Sequence, residues 1–294
     1  GVYVSISDNG NGMNEKELTE AMRWGARNPK ASDNRLGKFG LGLKSASIGF
    51  SKRLTVTSRK SNRAELLSAT WDIDDLTKKG EWVLELDKAD KNFTDSYDEE
   101  MDFLEDFSGN KTDSGTLVTW EKVDRVLLKD DGEEYVNPAQ ALDRKIATLE
   151  QHLRLVFHRY LNEQDTRCTN ISIAVNEKKL EAHDPFMEAL ELRKPVKEKN
   201  WKLKSKKKEG YVKMTCHIFP QLNTIKDEDK KKALKGEVSK ATQGFYIYRE
   251  NRLIDGPHWL KLWVAEDHYN YLRISIDYEA TLDEFFIVDV KKKN

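Results

Sequence analysis

The sequence predicts an α+β fold in two consecutive domains, 1–136 and 137–294. Three observations carry this expectation. Short alternating runs rich in Val, Ile, Thr and aromatic residues recur in both halves and read as strands. Helical-period segments sit singly between them. One long helical pattern, "NPAQALDRKIATLEQHLRLVFHRYL" (137–161), separates the two sets of strands.

The first strand is the alternation of Val2, Val4 and Ile6, which runs into "DNGNGM", Asp8 to Met13. "EKELTEAMRWG" then places Leu18, Ala21 and Met22 at helical spacing, with Asn14 suited to cap it. Glu15, Glu17 and Glu20 are read as its solvated face. "ARNPKASDNRLGKFG" has neither periodicity and contains a proline and two glycines, so a long loop is expected, opening through Gly37, Gly40 and Gly42 onto the helix-forming "LGLKSASIG". "RLTVTSR", "AELLSATWDI" and "EWVLELD" read as consecutive antiparallel strands, "DSYDEEMDFLEDF" as a surface helix through Met101, Leu104 and Phe107, and "GTLVTWEKV" as a further strand.

In the second half, the long helix has apolar positions at Leu142, Ile146, Leu149, Leu153, Phe157 and Leu161, which marks it as the linking element. "NISIAV", "YVKMTCHIF", "GFYIYRENRLI" and "YLRISIDY" read as strands, with a hairpin turn at Glu250-Asn251. "KLKSKKKEG" packs five lysines into seven positions. Its first reading is a solvated loop and its second a loop that contacts a polyanion.

Composition narrows the function classes. Fifty basic residues against 51 acidic ones leave a net charge of −1, so no global field selects nucleic acid. Cys168 and Cys216 are far apart, no signal peptide is visible, and no apolar run reaches membrane-spanning length, which together point to a reducing, soluble, cytoplasmic setting. The cysteines are expected as buried thiols. The six histidines show no metal-site spacing and are read as ordinary polar or partly packed residues. No residue is assigned as a metal ligand.

Two glycine motifs in one domain remain. The second, at Gly37, Gly40 and Gly42, offers bare backbone N–H groups at a helix N-terminus, which suits a phosphate chain. The first puts a short carboxylate, Asp8, at a strand end beside an apolar wall, where it can accept from the exocyclic amine of adenine, while Gly10, Gly12 and Met13 leave room for the base.

On these residues the chain resembles the GHKL ATPases, which include gyrase B, the ninety-kilodalton heat-shock chaperones, MutL, MORC proteins and histidine-kinase catalytic domains. "DNGNGM" is similar to the family's adenine-binding motif, "GKFGLGLKSAS" to its phosphate-lid motif, and "SGTLVTW" to its later strand; "GLGLKSAS" looks closest to MORC-like and bacterial stand-alone members. The resemblance implies a GHKL-type α/β sandwich followed by a transducer-like domain. It implies that Asp8 binds adenine with help from Thr116, and that Gly37, Lys38, Phe39, Gly40, Leu41, Gly42, Leu43 and Lys44 surround the phosphates, Lys44 being the weaker candidate and equally readable as an exposed lysine. In "LDEFFIVDVKKKN", Lys292, with Lys291 next in line, takes the part of the catalytic lysine that meets the γ-phosphate; a solvated basic tail is the competing reading.

ATP with Mg²⁺, an ATP-dependent homodimer and a DNA or protein client are the implied partners. The implied function is a conformational switch that hydrolyses ATP, in DNA processing or defence. A non-hydrolysing nucleotide sensor or scaffold, or a chaperone-like protein, is the alternative. The family's helix with a general-base Glu and an Mg²⁺-binding Asn has no counterpart in Gly1–Ser7. A longer parent chain, a member that does not hydrolyse, and a substitute carboxylate are the three expectations this leaves.

Overall fold

A computed structural model describes residues 2–23, 42–123, 125–129, 131–192, 194–204 and 209–286. The chain divides into two compact units, the first ending at Arg144 and the second starting from Lys145.

The first unit is built on an antiparallel sheet of five strands. In chain order its elements are β1 (Val4–Asp8), α1 (Glu15–Met22), α2 (Gly42–Phe50), β2 (Arg53–Arg59), β3 (Leu67–Asp72), α3 (Ile73–Lys79), β4 (Glu85–Lys88), α4 (Lys91–Ser108) and β5 (Gly115–Glu121). The spatial order is β1-β5-β2-β3-β4. Strand alternation sorts the side chains. Leu54, Val56, Ala69, Trp71 and Trp120 fall on one face, where Leu18 and Met22 of α1 and Leu43 and Phe50 of α2 pack against them. Fully buried, Leu18 and Met22 each contribute about 1.5–3 kcal/mol of hydrophobic burial. Asn14 caps α1 as expected and completes a capping box with Glu17, so this glutamate is more than a solvated face.

Helix α4 covers the opposite face. It is longer than the acidic stretch suggested, because Asp90 accepts from Phe93 N–H at 2.9 Å to start it and Gly109, at φ +67°, stops it. It is also more than a surface helix, since Tyr97 and Met101 bury themselves against Leu117.

Helix α5 (Pro138–Val156) begins in the first unit and runs on into the second, which continues with α6 (His158–Leu161), β6 (Ala174–Val175), β7 (Lys178–Lys179), β8 (Lys194–Lys204), β9 (Glu209–Ile218), α7 (Glu228–Glu237), β10 (Gly244–Arg249), β11 (Arg252–His258), β12 (Leu272–Tyr278) and α8 (Asp283–Phe286). Its sheet runs β11-β10-β12-β9-β8, with β10 and β12 parallel and the other pairs antiparallel. The β10–β11 turn falls at Glu250 (φ +48°) and Asn251 (φ +64°), both left-handed as a two-residue hairpin requires. One face buries Tyr246, Tyr248 and Leu253 with Phe186 and Leu155. The other buries Phe245 and Ile274 with Trp259, and Val212 and Tyr278 with Leu282.

Several expectations need correction here. The long helix ends at Val156 and Phe157 interrupts it; Leu149 is exposed, and the buried positions at its end are Val156, His158 and Arg159. A polar network draws that end inward. The Arg159 guanidinium lies 3.6 Å from the Tyr248 ring centroid and pairs with Asp277, while His158 Nε2 lies 2.9 Å from Tyr248 Oη. His158 and, separately, His217 are fully rather than partly packed. "NISIAV" yields only the two-residue β6, paired with β7. "KLKSKKKEG" is not simply a loop, since Lys202–Lys204 end β8 and Glu209–Gly210 begin β9. Both cysteines are free thiols, as expected, but half-buried.

Candidate nucleotide site

The site grows from one row of the first sheet. Asp8 on β1 pairs with Thr116 on β5, which pairs in turn with Ser58 on β2. Two residues back, Ile6, Val118 and Val56 form the next row on the same face, and Val4, Trp120 and Leu54 the one after. That face is apolar until its last row, where a carboxylate and two hydroxyls replace the hydrocarbon.

Hydrogen bonding fixes what this row can do. Ser58 Oγ donates to the Gly115 carbonyl at 2.9 Å, accepts from Met13 N–H at 2.9 Å, and lies 3.1 Å from Thr116 Oγ1. Ser58 has one proton, and a carbonyl can only accept. With that proton on Gly115, the Thr116 hydroxyl donates to Ser58 and keeps its lone pairs for another partner. Asp8 Oδ1 accepts from Gly10 N–H at 2.9 Å. Among the described residues no other hydrogen bond to the Asp8 carboxylate is made. The row therefore presents acceptors, which suits a donor such as an exocyclic amine.

The glycines hold the turn close. Gly12 sits at φ +55°, and a Cβ there would overlap the Arg59 carbonyl oxygen. A Cβ on Gly10 would come 2.7 Å from Asp8 Oδ1, so only glycine leaves the carboxylate its place. Ser114 Oγ donates to the Gly10 carbonyl at 2.8 Å and ties the turn down at the other side. Asp8 is reached by solvent at its surface, yet protein atoms around it displace enough water that desolvation raises its pKa, and the Gly10 N–H only partly offsets this.

Helix α2 packs on the same face of the sheet. Trp120 Nε1 donates to Ser47 Oγ at 2.6 Å, and the Phe50 and Trp120 ring centroids are 5.5 Å apart. Leu43 points into the core, and a Cβ on Gly42 would meet no atom within 4 Å. Lys44 is buried rather than exposed. Desolvation lowers its pKa, and the charge of Glu20 opposes that shift. Gly37, Lys38, Phe39, Gly40, Leu41, Lys291 and Lys292 lie outside the described residues.

Asp8, Gly10, Gly12, Met13 and Thr116 are therefore brought together, with Gly42, Leu43 and Lys44 on a helix covering the same sheet face. Ser58 was missed by sequence reasoning. The alternation Leu54, Val56, Ser58 placed it on this face, but nothing local revealed that Thr116 is its neighbour. An open cleft of about 870 Å³ lies on the opposite side of the sheet, lined by Ser5, Leu117, Thr119, Phe93 and Glu100 among others, and takes no part in this row. Among the described residues no cluster of three His, Cys, Asp or Glu stands ready for a metal ion. None of the described helices is long and apolar enough to cross a membrane.

Residues 2–102 match the family described as "Histidine kinase-, DNA gyrase B-, and HSP90-like ATPase". The match spans about a third of the chain and makes this segment similar to GHKL-type ATPase domains, a class that binds ATP with Mg²⁺. Among solved structures, the ATPase region of Saccharomyces cerevisiae topoisomerase II is similar at 11% identity and a TM-score of 0.41, over 94% of this chain but only 63% of that one. The ATPase and transducer domains of Balamuthia mandrillaris DNA topoisomerase II align at 10% identity and a TM-score of 0.42, over 99% of this chain and 74% of the other. The 43K ATPase domain of Thermus thermophilus gyrase B, in complex with an aminocoumarin, aligns at 11% identity and a TM-score of 0.35, over 94% and 67%. No curated protein matches the chain.

Proposed function

We propose that the first unit binds ATP, with adenine at the Asp8–Thr116–Ser58 row and the phosphates at the N-terminal end of α2, and that this binding drives a conformational switch and dimerisation. The observation that supports it is the row itself: a desolvated carboxylate and an acceptor hydroxyl, beside a turn that needs glycine at positions 10 and 12, at the polar end of an apolar sheet face. Asp8 accepts from the base amine. Thr116, held by Ser58, offers a second acceptor. Among the described residues, Lys44 and the backbone N–H groups at the start of α2 suit a phosphate.

The second unit is read as a transducer, in a division at 1–136 and 137–294. In this reading Lys292 approaches the γ-phosphate and senses whether ATP or ADP is present, and DNA processing or defence is the setting. The β10–β11 hairpin supports it, because the Arg249 guanidinium grips Asp283 through bonds of 2.7 and 2.9 Å and so anchors the segment leading to the C-terminal lysines.

Calorimetry with ATP and GTP tests the base site. Guanine carries a carbonyl where adenine carries its amine, so GTP faces acceptor with acceptor and should bind at least tenfold more weakly. Equal affinities would remove the row from base recognition. For the lysine, Lys292→Ala should weaken ATP more than ADP, and equal losses would show that it does not meet the terminal phosphate.

A further inference from the structure

The sheet of the second unit ends on a basic edge. β8 carries Lys194, Lys197, Lys199, Lys202 and Lys204 against Glu198, and β9 adds Lys213 against Glu209, in a chain whose net charge is −1. β8 is the outermost strand, with β9 as its neighbour. Alternation puts Lys197, Lys199 and Trp201 in line on one face, at about 6.7 Å per step. Lys202 and Lys204 fall on the other face with Tyr211 and Lys213.

The two glutamates are already engaged. Glu209 pairs with Lys202 at 2.9 Å and with Lys204 at 3.6 Å, and Glu198 pairs with Lys213 at 3.1 Å. Lys197 and Lys199 are exposed, and among the described residues neither makes an ion pair. Beside them Trp201 is 41% exposed, and across the ladder Tyr211 is 53% exposed, with the Lys202 ammonium 5.6 Å from its ring centroid.

We propose that the β8 edge of this sheet is a nucleic-acid-binding surface, on which Lys197 and Lys199 meet successive phosphates and Trp201 stacks an unpaired base. Lysines in line with an exposed ring are the combination that single strands use, since the cations follow the backbone and the ring accepts any base. Lysine on an edge strand also guards against strand-to-strand aggregation. That role needs only charge of either sign, which is what the test exploits. The proposal is independent of the ATP site.

The test is fluorescence anisotropy on the full chain with a labelled single-stranded oligonucleotide and the matching duplex, across a salt series. Wild type should bind the single strand more tightly than the duplex. The double substitution Lys197→Glu with Lys199→Glu should weaken single-strand binding at least tenfold and flatten the slope of log K against log salt by about 1.4. Trp201→Ala should weaken single-strand binding about fivefold or more. Lys232→Glu with Lys235→Glu on α7, an equal charge change elsewhere in the unit, should change it less than threefold. Failure of wild type to bind, unchanged affinity in the β8 double variant, or an equal loss in the α7 variant would overturn the proposal. So would loss of binding to anionic phosphatidylserine vesicles in the β8 variant with no oligonucleotide binding by wild type. ATP affinity, measured on the same samples, should be unaffected, which keeps this outcome separate from that of the nucleotide site.

Discussion

Asp8→Asn is the sharpest probe of the nucleotide site because it changes charge and donor pattern while keeping size. The asparagine carbonyl can take over the bond from Gly10 N–H now made by Asp8 Oδ1 at 2.9 Å. Its NH₂ then replaces the outward oxygen and points a donor at the place where the adenine amine also donates. A hydrogen bond to a charged group contributes about 1.5–3 kcal/mol, so affinity for ATP should fall by roughly 10- to 150-fold. Stability should move the other way or not at all. Desolvation raises the Asp8 pKa in the folded chain, so the ionised carboxylate costs stability above that pKa, and a neutral amide removes the cost. Calorimetry with ATP and urea unfolding followed by tryptophan fluorescence provide the two readings. An affinity within twofold of wild type would refute base recognition by Asp8, and a loss of affinity matched by a loss of stability would make the residue structural.

Two further substitutions and one pH series extend this. Gly12→Ala combines a left-handed backbone at φ +55° with a Cβ that overlaps the Arg59 carbonyl, so it should destabilise the chain by about 2 kcal/mol or more, seen as a lower urea midpoint; an unchanged midpoint would show that the turn can relax freely. Burial, and secondarily the Arg159 charge, lowers the His158 pKa from 6.5 to about 4 against the pull of Asp184. The unfolded chain therefore takes up a proton near pH 6.5 that the folded chain refuses until about pH 4. Stability is complete above pH 6.5 and is lost as pH falls, by about 2 kcal/mol between pH 7 and pH 5. Urea midpoints should drop over that range in wild type and less so in His158→Gln; the same drop in both would assign the effect elsewhere.

Local pattern was enough for most elements that lie within one stretch of chain. Asn14 and the spacing of Leu18 and Met22 specify α1, and the left-handed pair Glu250-Asn251 between alternating runs specifies the β10–β11 hairpin, because capping and turn geometry depend on a few adjacent residues. The same holds for Asp8, Gly10 and Gly12, whose residue types already state a tight turn after a strand. β8 was not legible, since "KPVKEKNWKLK" is dominated by charge and becomes a strand only by pairing along the whole of β9.

What the sequence determined alone was therefore the identity of the turn and the helix that follows it, both products of short-range backbone preference. Only the tertiary structure could decide that Ser58 and Thr116, 58 residues apart, share a hydrogen bond in the same row as Asp8, or that Lys44 is buried and His158 and Arg159 enter the core. Strand register and burial arise from contacts between distant segments, and those contacts set which hydroxyl donates, which carboxylate loses its water and which lysines remain facing solvent.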